Sequence, residues 1–379
     1  MKLLVVTPYF YPKIGGLEKY AYNFCIGLKK KYKWDIVVVT SNHIEKKDQV
    51  EKVKGLKIYR LASLMKFSNT PVNPFWFWKI KKIIQDEKPD AINAHTPVPF
   101  IADIAALTAG NIPFFLTYHA FSLYKYNSIL FNLFIKFYKI FEYALFKKAT
   151  KIVLASYVIK DTIPDKFKAK IVVLNNSISL ENIPTLKSIK SGKKEKIVFI
   201  GSLDKSHDWK GLDELLLSIK LYRDKTKKDI ALSVIGDGNN KDHYRQLAKD
   251  YGITKNIKFW GKREGRKKDK ILKNATMGII YPKSSNDAFP TVLLEYWSYS
   301  LPVIASNITP INKIIKDKKT AYLTDSNDPN ALFNAIKTIT DDKVLSKNIS
   351  KGGHNELLKR FILEKEVKKF YYMTKGYTI

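Results

Sequence analysis

The sequence predicts an α/β protein built from two doubly wound, Rossmann-like domains, each with a mainly parallel sheet. Short apolar runs alternate with helical stretches, and this alternation starts again after a polar stretch near the middle of the chain. Strands that are apolar throughout are typical of parallel sheets covered by helices on both faces. A chain of 379 residues is also long enough for two domains.

The apolar runs give the expected strands in chain order. In the first half they cover residues 3–6, 36–40, 56–59, 91–94, 114–118, 152–155 and 171–174. In the second half they cover residues 197–201, 231–236, 257–260, 277–281, 302–305 and 321–323. The polar stretch between the two series contains Pro184, Gly192 and several lysines, which favours a linker. We therefore predict an N-terminal domain over 1–178, a linker over 179–196, a second domain over 197–355 and a terminal helical segment over 356–379.

The charge and the composition of the chain indicate which classes of binding partner and which cellular compartment to expect. The chain carries 67 Lys and Arg against 35 Asp and Glu, a formal net charge of +32. Such a field attracts nucleic acid, anionic lipid and phosphate-bearing substrates, although solvated lysines of a biased composition explain it equally well. No nucleic-acid-binding motif accompanies the lysines, so we expect no specific nucleic-acid partner. The single cysteine, Cys25, and the lack of Cys/His clusters indicate a reducing compartment and no metal site.

No segment approaches the ~20 consecutive apolar residues that a membrane-spanning helix needs. The longest apolar segment, 130–146, is interrupted by Lys136 and Lys139. The apolar start of the chain ends at Pro8 without a cleavage site, which favours a buried strand over a signal peptide. We expect a cytoplasmic protein that is not integral to the membrane.

Residues 281–306 carry the most informative pattern, because two acids eight positions apart lie between two apolar runs. If a helix begins near Pro290, Asp287 lies in the loop before it and Glu295 lies within it. Such a loop directs backbone N–H groups at an anion, while carboxylates nearby accept hydrogen bonds from hydroxyls. A nucleotide sugar, with a diphosphate and many hydroxyls, suits this combination. Phe289, Pro290 and Thr291 are expected to line the same site.

Other candidate residues follow predicted strands. Gly15 and Gly16 lie between the first strand and a helix, where a phosphate could approach, although glycines are common in turns. His95 and His119 follow apolar strands, so their imidazoles are expected at the ligand-binding edge of the sheet. For His95, a structural role and a wall of an acceptor pocket remain equally open.

Together, these motifs resemble the retaining glycosyltransferases of family 4, the glycosyl transferases group 1, which have the GT-B fold. The resemblance rests on the Asp287 and Glu295 pattern before a Leu-Pro-Val-Ile strand. It also rests on a strand, a loop and the Lys-Gly pair that begins at Lys210, followed by a helix. A Gly-Asp-Gly turn at Gly236 supports it. The resemblance covers nearly the whole chain. It implies two domains that face a central cleft and a terminal helix that crosses back to the first domain.

The resemblance also implies roles for individual residues. Lys210 corresponds to the lysine that clamps the donor diphosphate, and His119 to the histidine near the reaction centre. Asp287 would contact the donor sugar and Glu295 the ribose hydroxyls. The Gly15–Gly16 loop and Gly236 would lie against the donor. The implied activity is metal-independent, retaining hexosyl transfer from a UDP- or GDP-sugar, with no cofactor besides that donor.

The chain departs from the family pattern at several positions. Ser202 stands at the position of the family's arginine, which removes one positive charge unless Lys205, His207 or an arginine elsewhere supplies it. Asp287 replaces the usual glutamate, Ala120 follows His119, and Ser300 stands where glycine is usual. The glycine pair that usually follows the Pro-Val-Ile strand is also missing after Ser306.

Aromatic residues beside lysines in the N-terminal domain suggest an interface. Tryptophan favours the headgroup level of a bilayer, and lysines attract anionic lipid. The residues concerned are Phe75, Trp76, Trp78, Lys79, Lys81 and Lys82. They could equally pack the domain, as could the wide apolar face of 130–148.

The sequence thus favours a glycosyltransferase with a glycan or polyisoprenyl-linked acceptor at the inner face of the cell membrane. A GT-B protein that binds a nucleotide sugar or a membrane partner with weak or no catalysis is the alternative.

Overall fold

The structure is a computed structural model that describes residues 1–13, 15–43, 45–67, 70–96, 98–119, 129–185, 195–284 and 289–378. Asp287 and residues 186–194 of the expected linker lie outside this range. The chain divides into two compact units. The first comprises Met1–Ser179 together with Leu363–Ile379, and the second comprises Leu180–Ile362.

The first unit is an α/β unit around one mixed sheet. Its strands are β1 (Lys2–Thr7), β2 (Asp35–Asn42), β3 (Gln49–Val53), β4 (Leu56–Ala62), β5 (Met65–Phe67), β6 (Thr70–Val72), β7 (Ala91–Thr96), β8 (Phe114–Tyr118), β9 (Lys151–Leu154) and β10 (Ile171–Val173). Its helices before the second unit are α1 (Gly16–Tyr32), α2 (Trp76–Glu87), α3 (Ile101–Thr108) and α4 (Ile129–Lys148). Within the described residues, eight strands form one sheet in the order β10-β9-β8-β7-β1-β2-β4-β3, while β5 and β6 pair separately.

All pairs in the large sheet are parallel except the pair of β3 with β4. The central strands are buried throughout, because helices cover both faces. β3 differs: it is mostly exposed, and its sequence is polar. This edge strand was not predicted, because its sequence has no apolar run.

The second unit contains β11 (Lys196–Ile200), β12 (Ala231–Ile235), β13 (Ile257–Phe259), β14 (Met277–Ile280), β15 (Val303–Ser306) and β16 (Tyr322–Thr324). Its helices are α5 (Leu212–Thr226), α6 (Lys241–Asp250), α7 (Gly265–Lys273), α8 (Thr291–Ser298), α9 (Ile311–Ile314), α10 (Pro329–Asp341) and α11 (Lys343–Arg360). The six strands form a parallel sheet in the order β13-β12-β11-β14-β15-β16 across the part of the unit that the structure describes. The prediction of two doubly wound, mainly parallel sheets is confirmed, with β3 as the antiparallel exception.

The last helix, α12 (Leu363–Lys375), packs on α1 in the first unit. A Cβ added to Gly27 of α1 would lie 2.8 Å from the side chain of Val367, so glycine permits the close approach of the two helices. The terminal helix begins at Leu363, later than the predicted residue 356, because 356–360 continue α11.

None of the helices in the described ranges combines the length and the apolar composition that a bilayer-crossing segment requires.

Candidate functional site

The carboxyl ends of β11 and β12 approach each other closely in the second unit. Gly201 follows β11, and its N–H donates to the carbonyl of Ile235 at the end of β12 (3.0 Å). A Cβ on Gly236 would lie 1.8 Å from the carbonyl oxygen of Gly201, and Gly236 has a φ of +155°. Glycine is therefore required at 236 by the backbone, which accounts for the Gly-Asp-Gly turn without a ligand.

Lys210 lies beside a small pocket of about 40 Å³ at the carboxyl ends of β11 and β14. Lys210 lies two positions before α5. A hydrogen bond from the N–H of Lys283 to the carbonyl of Trp209 (2.6 Å) fixes the loop that carries Lys210. Pro290, at the start of α8, lines the same pocket. Two parts of the predicted donor site, Lys210 and the beginning of α8, therefore lie together.

The ammonium group of Lys210 is partly exposed and lies 5.2 Å from the ring centroid of Trp209. Within the described residues it forms no ion pair with a carboxylate. An unpaired cation beside a pocket at the ends of parallel strands can neutralise an anionic ligand there.

The hydroxyl of Ser202 bonds to a neighbouring residue in its own turn and does not add to the charge of Lys210. The hydroxyl donates to the Asp204 carboxylate (2.7 Å) and accepts from the Asp204 N–H (3.3 Å). The hydrogen bond from Ser202 and a backbone bond from Asn239 hold the pKa of Asp204 below its usual value. This turn fixes the loop after β11, and it adds a carboxylate where the family pattern has a cation.

Glu295 lies on α8 and is nearly buried. Its carboxylate accepts a hydrogen bond from the ammonium group of Lys268 on α7 (3.0 Å), and Lys268 also contacts Glu264 (3.3 Å). Burial lowers the pKa of Lys268, but the two carboxylates outweigh it and leave the pKa above its usual value. Lys268 thus neutralises Glu295 and fixes the orientation of its carboxylate.

The first turn of α8 begins where the sequence predicted it. Pro290 precedes the helix, and the N–H groups of Thr291 and Val292 have no backbone acceptor within the described residues. Phe289 is buried, with its ring 5.3 Å from that of Phe361, so packing holds the chain just before α8. Ser300, just after the helix, has a φ of +48°, which explains why glycine is usual there.

The glycine pair at the start of α1 lies in the first unit. A Cβ on Gly15 would lie 2.2 Å from a carboxylate oxygen of Glu18, whereas a Cβ on Gly16 would meet no atom within 4 Å. The carboxylate of Glu18 therefore lies against the N-terminus of the helix, where the sequence predicted a phosphate. Burial raises the pKa of Glu18, opposed by a backbone hydrogen bond and Lys13. A phosphate at this helix end would have to lie beside that carboxyl group.

His95 and His119 form a hydrogen-bonded pair at the carboxyl ends of β7 and β8. The Nδ1 atom of His95 lies 2.9 Å from the Nε2 atom of His119, and Tyr20 packs edge-on against His119 at 4.9 Å between ring centroids. Burial lowers the pKa of His95 to about 3. Burial and the neighbouring His95 hold the pKa of His119 well below its usual value. Both rings are therefore neutral at pH 7, and the N–H of one ring donates a hydrogen bond to the bare nitrogen of the other.

The aromatic segment before and within α2 divides into buried and exposed residues. Trp76 is fully buried, and its indole N–H donates to the carbonyl of Ala62 (2.9 Å). The prediction that Trp76 belongs to an acceptor or membrane surface is therefore wrong. Phe75 and Trp78 are 57% and 64% exposed. Lys81 and Lys82 are exposed, whereas Lys79 forms an ion pair with Asp48 (2.5 Å).

Sequence reasoning missed Glu18, Lys268 and Tyr20. The signal for Glu18 was available, because an acid at the third position of a helix often reaches back to the residue before the helix. Lys268 and Tyr20 gave no comparable signal, since their partners Glu295 and His119 are distant in the sequence. In the part of the chain that the structure describes, no group of three or more His, Cys, Asp or Glu side chains could hold a metal ion.

Two family models match the chain in tandem. The model for glycosyl transferases group 1 matches residues 185–356, and the model for glycosyltransferase family 4 matches residues 14–182. An uncharacterized glycosyltransferase of Methanocaldococcus jannaschii is 26% identical, with 98% of this chain and 97% of that protein covered.

A galactosyltransferase of Escherichia coli, described as a UDP-Gal:α-D-GlcNAc-diphosphoundecaprenol α-1,3-galactosyltransferase, is 30% identical over 37% of this chain and 35% of its own. The crystal structure of Anabaena HepE in complex with UDP matches with a TM-score of 0.76 at 15% identity, covering 99% of this chain and all of that one (100%). With the parallel sheets of both units and the tandem family matches, these findings place the chain among the group 1, family 4 glycosyltransferases of GT-B fold.

Proposed function

We propose that the protein is a metal-independent, retaining glycosyltransferase that transfers a hexose from a UDP- or GDP-sugar to a glycan or polyisoprenyl-linked acceptor. The observation that carries this proposal is the ammonium group of Lys210, which lies beside the pocket at the ends of β11 and β14 and has no carboxylate partner among the described residues. The diphosphate gains negative charge as its bond to the sugar breaks, so a fixed cation stabilises the transition state more than the ground state.

The beginning of α8 is the second element of the proposed donor site. The N–H groups of Thr291 and Val292, which have no backbone acceptor among the described residues, suit a phosphate oxygen, because the N-terminus of a helix attracts anions. Glu295, one turn further along, would accept hydrogen bonds from the ribose hydroxyls while Lys268 balances its charge. Asp287, outside the described residues, would contact the sugar, in keeping with the family resemblance.

His119 would act as a neutral hydrogen-bonding group for the transferred sugar. A neutral imidazole has one donor and one acceptor, and the bond to His95 uses one of the two nitrogens of His119. Within the described part of the chain no other group bonds to the ring of His119, so its second nitrogen would take a sugar hydroxyl. In this proposal His95 is a positioning residue: it sets which nitrogen of His119 carries the proton, and it orients the ring.

The nature of the donor and acceptor is supported by relatives. UDP is the ligand in the HepE complex, and the E. coli relative uses UDP-galactose and an undecaprenol-linked acceptor. A lipid-linked acceptor requires access to a membrane, which the exposed Phe75 and Trp78 beside Lys81 and Lys82 would favour. We place the reaction at the cytoplasmic face of the cell membrane, with the protein bound peripherally.

A protein that binds a nucleotide sugar with little or no catalysis is the second candidate. It is favoured by the loop after β11, in which Ser202 replaces the expected arginine and bonds to an acidic residue, Asp204. A single clamp cation would retain donor affinity but provide less stabilisation of the leaving diphosphate.

One experiment tests the proposal and separates the two candidates. A panel of UDP- and GDP-sugars is offered with a membrane extract, and transfer, donor hydrolysis and binding heat are measured with and without EDTA. Transfer that persists in EDTA and gives a product with the donor's anomeric configuration, by NMR, supports the proposal. Donor binding without transfer or hydrolysis supports the second candidate, and absence of both binding and turnover contradicts each of them.

A further inference from the structure

Helix α4 presents a continuous row of large apolar side chains to solvent. Within its described side chains, Leu133, Phe137, Ile140 and Phe141 are each between 50% and 65% exposed. Their spacing of four, three and one places them on one face of the helix. The opposite face packs on the first unit through a separate row of buried residues: Ile135, Tyr138, Glu142, Leu145 and Phe146. The helix therefore has two apolar faces, of which only one is covered by this unit.

The charged residues of α4 that flank the exposed row have one sign. Lys136, Lys139 and Lys147 follow one flank of the row, and all three are exposed. The one acidic residue in the sequence of α4 is Glu142, which is buried and accepts a hydrogen bond from the hydroxyl of Tyr118 (2.7 Å). A solvent-facing surface made of phenyl, alkyl and ammonium groups matches the boundary between acyl chains and anionic headgroups.

The row also lies at the edge of the sheet where the histidine pair is found. Tyr118 is the last residue of β8, so its bond to Glu142 aligns the middle of α4 with the carboxyl end of that strand. Thr150, after the helix, accepts a hydrogen bond from the N–H of Phe114 at the start of β8 (3.0 Å). Residues 129–141 thus extend beyond the carboxyl edge of the sheet, a helical length of about 20 Å at 1.5 Å per residue.

We propose that the exposed row of α4 docks on an anionic lipid surface. This inference deepens the membrane part of the proposed function and rests on it for its biological purpose. A lipid surface fits better than a protein partner, because lysine is depleted at protein interfaces, whereas it is enriched beside the apolar face of interfacial helices. The Phe75 and Trp78 patch belongs to the same side of the sheet, since α3 packs between α2 and α4.

This docking brings His119 and the membrane to the same end of the first unit. His119 follows β8 directly, at the edge past which the row extends. An acceptor whose lipid is anchored in the bilayer would then present its sugar or phosphate at that edge. The aromatic and aliphatic side chains enter the headgroup boundary, and the lysines contact lipid phosphates.

The test measures binding of the full chain to vesicles by flotation. Phosphatidylcholine vesicles with phosphatidylglycerol are compared with phosphatidylcholine alone, using the wild type and the double variant Phe137→Glu/Phe141→Glu. We expect the double variant to lose about a hundredfold in partitioning, because moving each aromatic ring into an apolar phase is worth roughly tenfold. Omitting phosphatidylglycerol should weaken wild-type binding by roughly fivefold for each lysine in contact.

Val344→Glu/Asn348→Glu is the matched control, because both residues are exposed on α11 of the other unit and the two changes add the same two negative charges. It should leave vesicle binding unchanged. Donor hydrolysis and thermal unfolding of the double variant should match those of the wild type, since neither ring belongs to the proposed donor site.

Equal vesicle binding by the wild type and the double variant would overturn the inference, as would a wild-type dimer that the double variant converts to a monomer. Absence of donor hydrolysis in every protein, with binding still dependent on Phe137 and Phe141, would reject the proposed activity but support the docking surface.

Discussion

Replacing Lys210 with methionine removes one charge and keeps most of the side-chain stem. The stem passes over Gly201, where an added Cβ would lie 3.0 Å from the Cδ atom of Lys210. The charge contributes little to folding, because its described contact is with the Trp209 ring, worth roughly 0.5–1 kcal/mol at an exposed site. Lys210→Met should therefore fold normally and unfold near the wild-type temperature.

Its effect on catalysis should be much larger. Two unit charges at ~4 Å interact by roughly 4 kcal/mol at an effective dielectric constant of about 20. Lys210 is partly exposed, so solvent reduces this figure, and part of the remainder is already present when the donor binds. We expect a loss of roughly 2–3 kcal/mol in transition-state stabilisation, or about 30- to 150-fold in kcat/KM.

The assay is the initial rate of sugar transfer and of donor hydrolysis, with kcat and KM determined separately. Lys255→Met is the control, because Lys255 is an exposed lysine of the same unit and lies away from the pocket. A loss below about threefold for Lys210→Met, equivalent to roughly 0.6 kcal/mol, would refute the assignment of Lys210 to the diphosphate. An equal loss for both variants would show an effect of net charge alone.

Further predictions concern both units. Glu295→Gln should lower the free energy of unfolding by roughly 1–3 kcal/mol in urea titrations, because it leaves Lys268 nearly buried without its main counter-charge. Adding Lys268→Met should restore much of that loss, and no recovery would contradict the pairing. Ser300→Gly should raise the free energy of unfolding by roughly 0.5–1 kcal/mol, seen as a higher Tm, since it relieves a left-handed conformation. Because the pKa of His95 is lowered to about 3 from 6.5, stability is fully present above pH 6.5 and falls as the pH drops below it. The slope is up to roughly 1.4 kcal/mol per pH unit for each neutral histidine. His95→Asn should give a shallower slope in chemical unfolding between pH 5 and pH 6.5, while an unchanged slope would contradict the assignment.

The sheets were predictable because a parallel strand covered on both faces must be apolar along its whole length. β1 and β14 show this: β1 contains the apolar run Leu3–Val6, β14 has the sequence Met-Gly-Ile-Ile, and both runs are buried in the structure. β3 escaped prediction because an edge strand needs no apolar run, only a partner for its backbone. The start of α12 was misplaced because α11 and α12 are separated by only two residues, so the helical pattern is almost continuous.

The candidate site was predictable only where the sequence order reflects the geometry. Lys210 precedes a helix and Pro290 begins one, and both elements follow neighbouring parallel strands, so the topology brings them to one pocket. Glu295 gave no sign of its partner, because Lys268 lies on a different helix and ion pairs between helices have no fixed spacing. The pairing of His95 with His119 was within reach, since β7 and β8 are neighbours and both residues lie at strand ends.

The exposed faces of α2 and α4 show a different limit. Trp76 and Trp78 are two positions apart on one helix, yet the first is buried and the second is exposed. On α4, the buried row is apolar apart from Glu142 and the exposed row is apolar, so the periodic pattern predicts a helix but does not indicate which face is the core. A core and a lipid surface both remove apolar groups from water, and hydropathy alone cannot distinguish them. The lysines do distinguish them, because Lys136 and Lys147 flank the exposed row, where their ammonium groups remain in water or on lipid phosphates.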